Sequence, residues 1–262
     1  MALDRPPFGS LLRGWRQTRR VSQLELSSVS GVSSRHLSFI ETGRATPSRA
    51  MVLRLARELD VPLRERNTLL QAAGYAPEFG ERAIDDPEMT AVVAALDTVL
   101  TGHLPYPALV FDRHHRIVRA NRAAGLFTDG LPAHLTGPDA NTMRITFHPE
   151  GLAPDLVDHA DIRARFIGRV RRQAAATGDE VLAALADECA AYPHPDEPVE
   201  APGLDIVTPF RLRRDGRVVS MFSAVATFGT VTDLTAAELA IETFFPADED
   251  SGAYLRDRIS EF

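Results

Sequence analysis

The sequence predicts a multidomain chain: an all-α domain of five short helices, then an α+β domain on a five-stranded antiparallel sheet. Three observations lead there. Residues 8–75 divide into short stretches of helical apolar spacing, several opened by a serine cap or closed by a glycine. Charge changes sign along the chain: residues 1–75 hold 12 Arg against 6 acidic residues, net +6, while the remaining 17 basic residues face 30 acidic ones, net −13. Beyond residue 105, apolar runs joined by tight turns read as strands, with helical stretches between them.

Taken in order, the first helix carries Leu12, Trp15 and Arg16. Ser22 and Glu25 stand at capping-box spacing, where each side chain satisfies a free backbone N–H at a helix start. Gly31 supplies the left-handed residue of a sharp turn, Ser33 caps the next helix and Gly43 closes it. Ser48 caps a fourth helix to Leu59, and a fifth runs from Pro62 to Ala73 before Gly74. Leu12, Trp15, Leu24, Leu53 and Leu69 are expected in the core. Val32, Leu37 and Ile40 have the spacing of an inward face, leaving Ser34, Arg35 and Ser38 outward.

Two short capped helices around a glycine turn, the second with a polar outer face, have the form of a helix-turn-helix DNA reader. The partner this predicts is a double-stranded DNA operator. Ser33, Ser34, Arg35 and Ser38 stand where a recognition helix meets base edges, and an arginine there can grip guanine bidentately. His36 is either a base contact or packing under the loop. Gln23, at a helix N-terminus, suits a phosphate, and Arg44 and Arg49 suit the other strand's backbone. Arg16 and Glu41 resemble the ion pair between helices 1 and 3 of lambda-repressor-like domains, a structural contact that leaves the DNA alone.

In the second part, Met89, Val92, Val93, Leu96, Val99 and Leu100 mark one face of a helix over about 87–102. Residues 107–111 and 116–120 read as a hairpin across Asp112–His115, and Asn121 opens a short helix to Phe127. Helices follow over 139–148, 154–176 and 179–192, then a proline-rich break from Pro193 to Pro198. Strands over 206–212, 218–228 and 239–245 complete the set. Two strands, several helices, then three strands is the running order of a PAS-like domain, whose sheet and helices enclose a cavity.

The whole chain resembles the MmyB-like transcriptional regulators, which join a Xre-type helix-turn-helix to a PAS-like ligand-binding domain. The resemblance rests on Ser22–Leu26, Arg35–Ala45, Pro62–Asn67 and Ala72–Pro77, and in the second part on Tyr106–Val110, Ala120–Ala124, His148–Leu152, Thr227–Thr230 and Ile241–Asp248. One departure is Asp158-His159, where the family usually carries Asn-Trp. The resemblance implies a transcriptional regulator with a fatty-acid-like ligand. The organisation expected is a DNA-binding domain over 8–75, a connector and linker helix over 76–104, the ligand domain over 105–250 and a tail over 251–262.

An acyl chain needs an apolar sleeve and one or two fixed polar groups. Phe111, Phe166, Phe222, Ala224, Ala226 and Phe228 are the expected wall, the small alanines leaving room beside aromatic rings. Arg122 can anchor a carboxylate, and Asn121 either joins it or simply caps its helix. No cofactor is expected beyond a bound fatty acid or similar lipid.

Other classes are set aside by composition. Cys189 is the single cysteine, so neither an intrachain disulfide framework nor a cysteine-built zinc site can form. His114, His115 and His148 lack helical metal-ligand spacing, so no metal is expected. No nucleophile elbow, P-loop or dinucleotide fingerprint is present, so no enzyme is expected. Without a signal peptide or an apolar run long enough to span a bilayer, the expected setting is the cytoplasm, with no membrane contact. The reading is a ligand-responsive regulator acting as a homodimer. The alternative is a second domain that only dimerises or docks a partner protein.

Overall fold

The computed structural model describes residues 6–157, 159–193, 210–229 and 231–260, which form two compact units. The first comprises Met1–Arg82 with Thr230–Ala237. Its helices are α1 (Phe8–Thr18), α2 (Gln23–Ser30), α3 (Ser34–Glu41), α4 (Arg49–Glu58) and α5 (Leu63–Ala72).

The expected caps set these boundaries. Ser22 and Glu25 form the reciprocal capping box of α2, Ser33 caps α3 through the His36 N–H, and Ser48 caps α4 through the Met51 N–H. Gly31, at φ +67°, makes the turn between α2 and α3. Leu12, Leu26, Leu37, Ile40, Val52 and Leu55 pack into one core with 1% exposure or less. Leu24, expected there, is 72% exposed. The capping box fixes the register of α2 so that Leu26 faces inward, and a residue two positions away lies on nearly the opposite side of a helix.

Beyond α5 the chain is pinned by Asn67, whose side chain accepts the N–H groups of Glu78 and Phe79 and donates to the Phe79 carbonyl. Residues 80–82 then hydrogen-bond a segment from far along the chain. Leu234 N–H donates to Gly80 at 2.8 Å, Arg82 pairs with Asp233 at 2.9 Å, and the Thr235 hydroxyl donates to the Arg82 carbonyl.

The second unit begins with a 3-10 turn at Pro87–Met89 and α6 (Thr90–Gly102), followed by β1 (Ala108–Phe111) and β2 (Ile117–Ala120). Next come α7 (Gly125–Thr128), α8 (Ala133–Thr136), α9 (Thr142–Phe147), α10 (His159–Thr177) and α11 (Glu180–Ala191). Then follow β3 (Phe210–Arg214), β4 (Arg217–Thr227), β5 (Ala240–Pro246) and α13 (Glu249–Ser260); α12 (Leu234–Glu238), between β4 and β5 in the chain, falls almost wholly in the first unit. The five strands form one antiparallel sheet in the order β2-β1-β5-β4-β3, the arrangement expected of a PAS-like domain.

Two apolar clusters sandwich the sheet. Leu96 and Leu100 of α6 cover Ala108, Val110, Leu239 and Ile241 on one face. Leu109, Phe111, Met221 and Phe244 on the other face meet the helical middle of the chain, including Met143, Ile145, Ile162 and Val170.

Three expectations change. The helix expected from Pro154 begins only at His159: residues 153–155 make a 3-10 turn, Leu156 bridges to Leu212, and Val157 N–H donates to Arg211. Edge pairing to β3 thus satisfies backbone groups that a helix would otherwise have used. The tail expected over 251–262 is helical through Ser260 as part of α13, started by Asp248 capping the Ser251 N–H and anchored by Ser251 accepting the Ser220 N–H. The strand expected over 206–212 begins at Phe210 in the described part; 206–209, most of the proline-rich break and Asp158 lie outside the described residues.

Gly9 marks the closest approach in the first unit. A Cβ there would lie 2.5 Å from the Glu41 carbonyl oxygen and 2.6 Å from that of Ile40, both backbone atoms. Gly9→Ala therefore has to push α1 off the end of α3, an overpacking cost of about 1–3 kcal/mol. Trp15 is the chain's one tryptophan and lies in this unit, so its fluorescence in a urea titration reads that loss directly. An unchanged midpoint would show that the α1–α3 contact yields easily.

Candidate DNA-reading surface and ligand cavity

At the end of α3, the Glu41 carboxylate is held from two other helices. Arg16 of α1 donates to it from Nε at 2.7 Å and from Nη2 at 3.0 Å, and Gln23 of α2 donates from Nε2 at 2.7 Å. The Glu41 side chain is 3% exposed and that of Arg16 12%. Burial alone would raise the carboxyl's pKa, but the hydrogen bonds from Arg16 and Gln23 and the arginine charge outweigh it and hold it below its ordinary value. The same bond to Glu41 raises Arg16. The C-terminal end of α3 is thus locked to the first two helices. Gln23, read from sequence as a phosphate contact, has its amide drawn into this lock.

The outward side of α3 keeps Ser33 and Arg35 exposed, with His36 and Ser38 half-buried. The Arg35 guanidinium lies 5.4 Å above the Phe39 ring, which steadies it along the helix. Ser34 differs: its hydroxyl donates to Ser27 at 3.1 Å, tying α3 to α2. Arg44 is exposed just past the helix, while Arg49 pairs with Glu78 at 2.8 Å.

In the second unit, a cavity of about 440 Å³ opens between the sheet and the helices, within the ~300–1,000 Å³ range typical of small-molecule sites. Leu109, Phe111 and Phe244 form its sheet side, and Met143, Ile145 and Ile162 its helical side. Arg122, Arg165 and Arg169 border it, all exposed. Arg165 is paired with Asp161 at 2.9 Å, and Arg169 lies over the Phe166 ring at 4.8 Å. Other polar groups on its wall are His115 and Glu242, 7% and 8% exposed, and Ser223, which is exposed.

Both buried titratable groups favour their neutral forms. Burial, helped by the Arg169 charge, pushes His115 down to about 4. Its ring stacks on Phe111 and its Nδ1 lies 3.3 Å from the Thr142 hydroxyl. Burial raises Glu242 against a hydrogen bond from Ser223. Burial thus works against charge inside the cavity, while arginines stand at its border.

Comparison with known proteins agrees with this division. Residues 92–257 match the model of the MmyB-like transcription regulator ligand binding domain, and residues 7–69 match a helix-turn-helix domain. The chain belongs to the MmyB-like transcription regulators. It is a transcriptional regulator with a helix-turn-helix DNA-binding domain and a ligand-binding domain. Among curated relatives, it is 36% identical over 104 residues to the uncharacterized HTH-type transcriptional regulator RghRB of Bacillus subtilis, covering 38% of this chain and 73% of that one. It is 37% identical over 75 residues to the HTH-type transcriptional repressor RghR of the same organism, covering 28% and 53%. The uncharacterized regulator Rv0023 of Mycobacterium tuberculosis is 29% identical over 112 residues, covering 43% of this chain and 40% of the relative.

Within this MmyB-like domain, Phe111, Asn121, Arg122 and Phe166 line the cavity. Asn121 uses all four of its hydrogen-bonding positions in doing so. Its Oδ1 accepts the Ala108 and Ala124 N–H groups, and its Nδ2 donates to Leu100 and Tyr106. It stitches α6, β1 and the turn into α7, so Arg122 stands without it as a candidate anchor. Phe222, Ala224 and Ala226 do not line the cavity. The register pairs Ser223 with Phe244 and Val225 with Glu242, so the even-numbered residues of β4 face the other way. Phe222 stacks on Phe245 there, and Phe228 packs with the α6 cluster.

Sequence reasoning missed His115 as a wall, and Ser223, Glu242, Arg165 and Arg169. The signal for Glu242 was available: a carboxylate between Ile241 and Phe244 in an otherwise apolar strand. Among the described residues, one group could offer three donors to a metal, His134, His148 and Glu150, within 4.8 Å of one another. His148 Nδ1 already accepts the Glu150 N–H at 3.1 Å, and His134 and Glu150 are exposed.

The low His115 pKa makes a pH prediction. An imidazole titrating near 6.5 in the unfolded chain and about 4 in the fold stabilises fully above pH 6.5. That contribution, about 3 kcal/mol, is lost as pH falls from 6.5 to about 4, because the unfolded chain takes up the proton first. His115→Asn, which tolerates the backbone φ of +64°, should flatten this limb of the stability profile measured by denaturant titration followed by circular dichroism. An equally steep limb in the variant would exclude His115 as its source.

Proposed function

We propose that this regulator binds double-stranded operator DNA through α3 and, as a homodimer in the cytoplasm, changes its hold on DNA when a fatty-acid-like molecule enters the second unit. The observation that carries the ligand class is the cavity's layout: a mostly apolar wall of Leu109, Phe111, Met143, Ile145, Ile162 and Phe244 within, and arginines at the border. A carboxylate at Arg122 or Arg169 with its chain inside matches that layout, and a guanidinium can meet it bidentately. A ligand shifts a regulator only by binding its states with different affinity, so occupancy and DNA release have to be measured together.

Native mass spectrometry of the purified chain, followed by denaturing extraction, tests the reading. A dimer releasing an acyl carboxylate, with added acid changing operator affinity, is the expected result. An empty dimer that no acid loads would leave the second unit as a dimerising or docking module.

On the DNA side, Arg35 and Arg44 are assigned different work. Arg35→Ala should relax base preference at one operator position, at a cost of about 1–3 kcal/mol in discrimination. Arg44→Ala should weaken all sequences evenly and reduce the salt dependence of binding. A selection of bound sequences with each variant separates the two. Unchanged specificity in Arg35→Ala would move the reading surface elsewhere.

A further inference from the structure

The acyl-ligand reading leaves Glu242 unexplained. It sits in the middle strand of the sheet, with Leu109 directly opposite on β1 and Val225 directly opposite on β4. Both cross-strand neighbours are apolar, and Phe244 is two residues along on the same face. A plain hydrocarbon chain would be served better by Leu or Val at this position, since burying a carboxyl costs free energy that only a hydrogen bond offsets. A residue that breaks the local pattern without a gain in packing is the kind found at functional sites.

Its partner is Ser223, one step diagonal on β4 and also on the cavity wall. With its proton in place, the Glu242 carboxyl and the Ser223 hydroxyl carry two O–H protons between them. One is consumed by the hydrogen bond between them. The other can be offered to the cavity, where the sheet residues Leu109, Phe111 and Phe244 provide no acceptor and the polar pair His115 and Thr142 already bond each other.

We propose that Ser223 and Glu242 form a subsite for an oxygen substituent on the acyl chain, a hydroxyl or oxo group that accepts this proton. The ligand class is then an oxygenated fatty acid, its carboxylate at the arginine border and its second oxygen against β4 and β5. This rests on the acyl-ligand reading but is separable from it. Discrimination of this kind is strong in one direction, because a ligand lacking the oxygen leaves the buried donor unmade.

The test uses the full chain and measures affinity for dodecanoate and for a series of dodecanoates hydroxylated at successive positions. One position of the series should bind about tenfold or more tightly than dodecanoate. Glu242→Leu should abolish that preference, with a far-ultraviolet circular dichroism spectrum matching the parent's to show that the variant is folded. Glu242→Gln, still able to donate, should keep the preference in part. If dodecanoate binds and no hydroxylated form binds better, the subsite is wrong and the acyl reading stands. A preference that survives Glu242→Leu overturns it equally. If no acid in the series binds, both readings fall.

Discussion

The second unit depends on the position of β5. Hydrogen-bonded to β1 on one side and β4 on the other, it cannot shift or rotate without breaking two ladders. Its side chains are therefore assigned to faces without freedom. Ile241 points to the α6 cluster, while Glu242 and Phe244 line the cavity. A one-residue slip would exchange the two sets and put a carboxyl under α6. The cavity exists because one sheet face is closed by α6 while the other meets helices that leave about 440 Å³ beside it. Which sheet side chains reach the site follows from that strict alternation.

The first unit solves a different problem, holding a short helix still. An eight-residue helix such as α3 has little stability of its own, so its orientation has to come from tertiary contacts. Leu37 and Ile40 supply the apolar part, and Glu41 supplies the directional part through Arg16 and Gln23. Gly9 lets α1 come close enough for the arrangement. A buried ion pair adds little stability over apolar residues of similar size, but its bidentate geometry specifies an angle. That is the property a reading helix requires.

Much of this was legible in the residues. The caps at Ser22, Ser33 and Ser48, the stop at Gly43 and the Arg16–Glu41 pair each have a local mechanism that needs only neighbouring residues or a known spacing, and the helices follow them. The five-stranded antiparallel sheet was legible from the running order of strands and helices. Face assignment in β4 was not. From Met221 to Phe228 the strand is apolar or small on both sides, so period two carries no information about which side is inward, and Phe222, Ala224 and Ala226 were placed on the wrong one. Leu24 shows the same weakness in a helix: hydrophobic character alone predicted burial, whereas the register set by the capping box turned it to solvent. The role of Asn121 became decidable only when its four partners, drawn from three separate segments, could be counted.

What joins the two units is also a matter of chain path. The chain passes from the first unit to the second after Arg82, returns after Gly229 and leaves again after Ala237. The excursion between β4 and β5 therefore belongs to the first unit, held there by Leu234, Asp233 and Thr235 on Gly80 and Arg82. Its two ends are the ends of the strands that carry Ser223, Glu242 and Phe244. The segment is thus tied by backbone and side-chain bonds to residues 80–82 of its own unit, while the strands on either side of it in sequence are fixed by the ladders of the sheet.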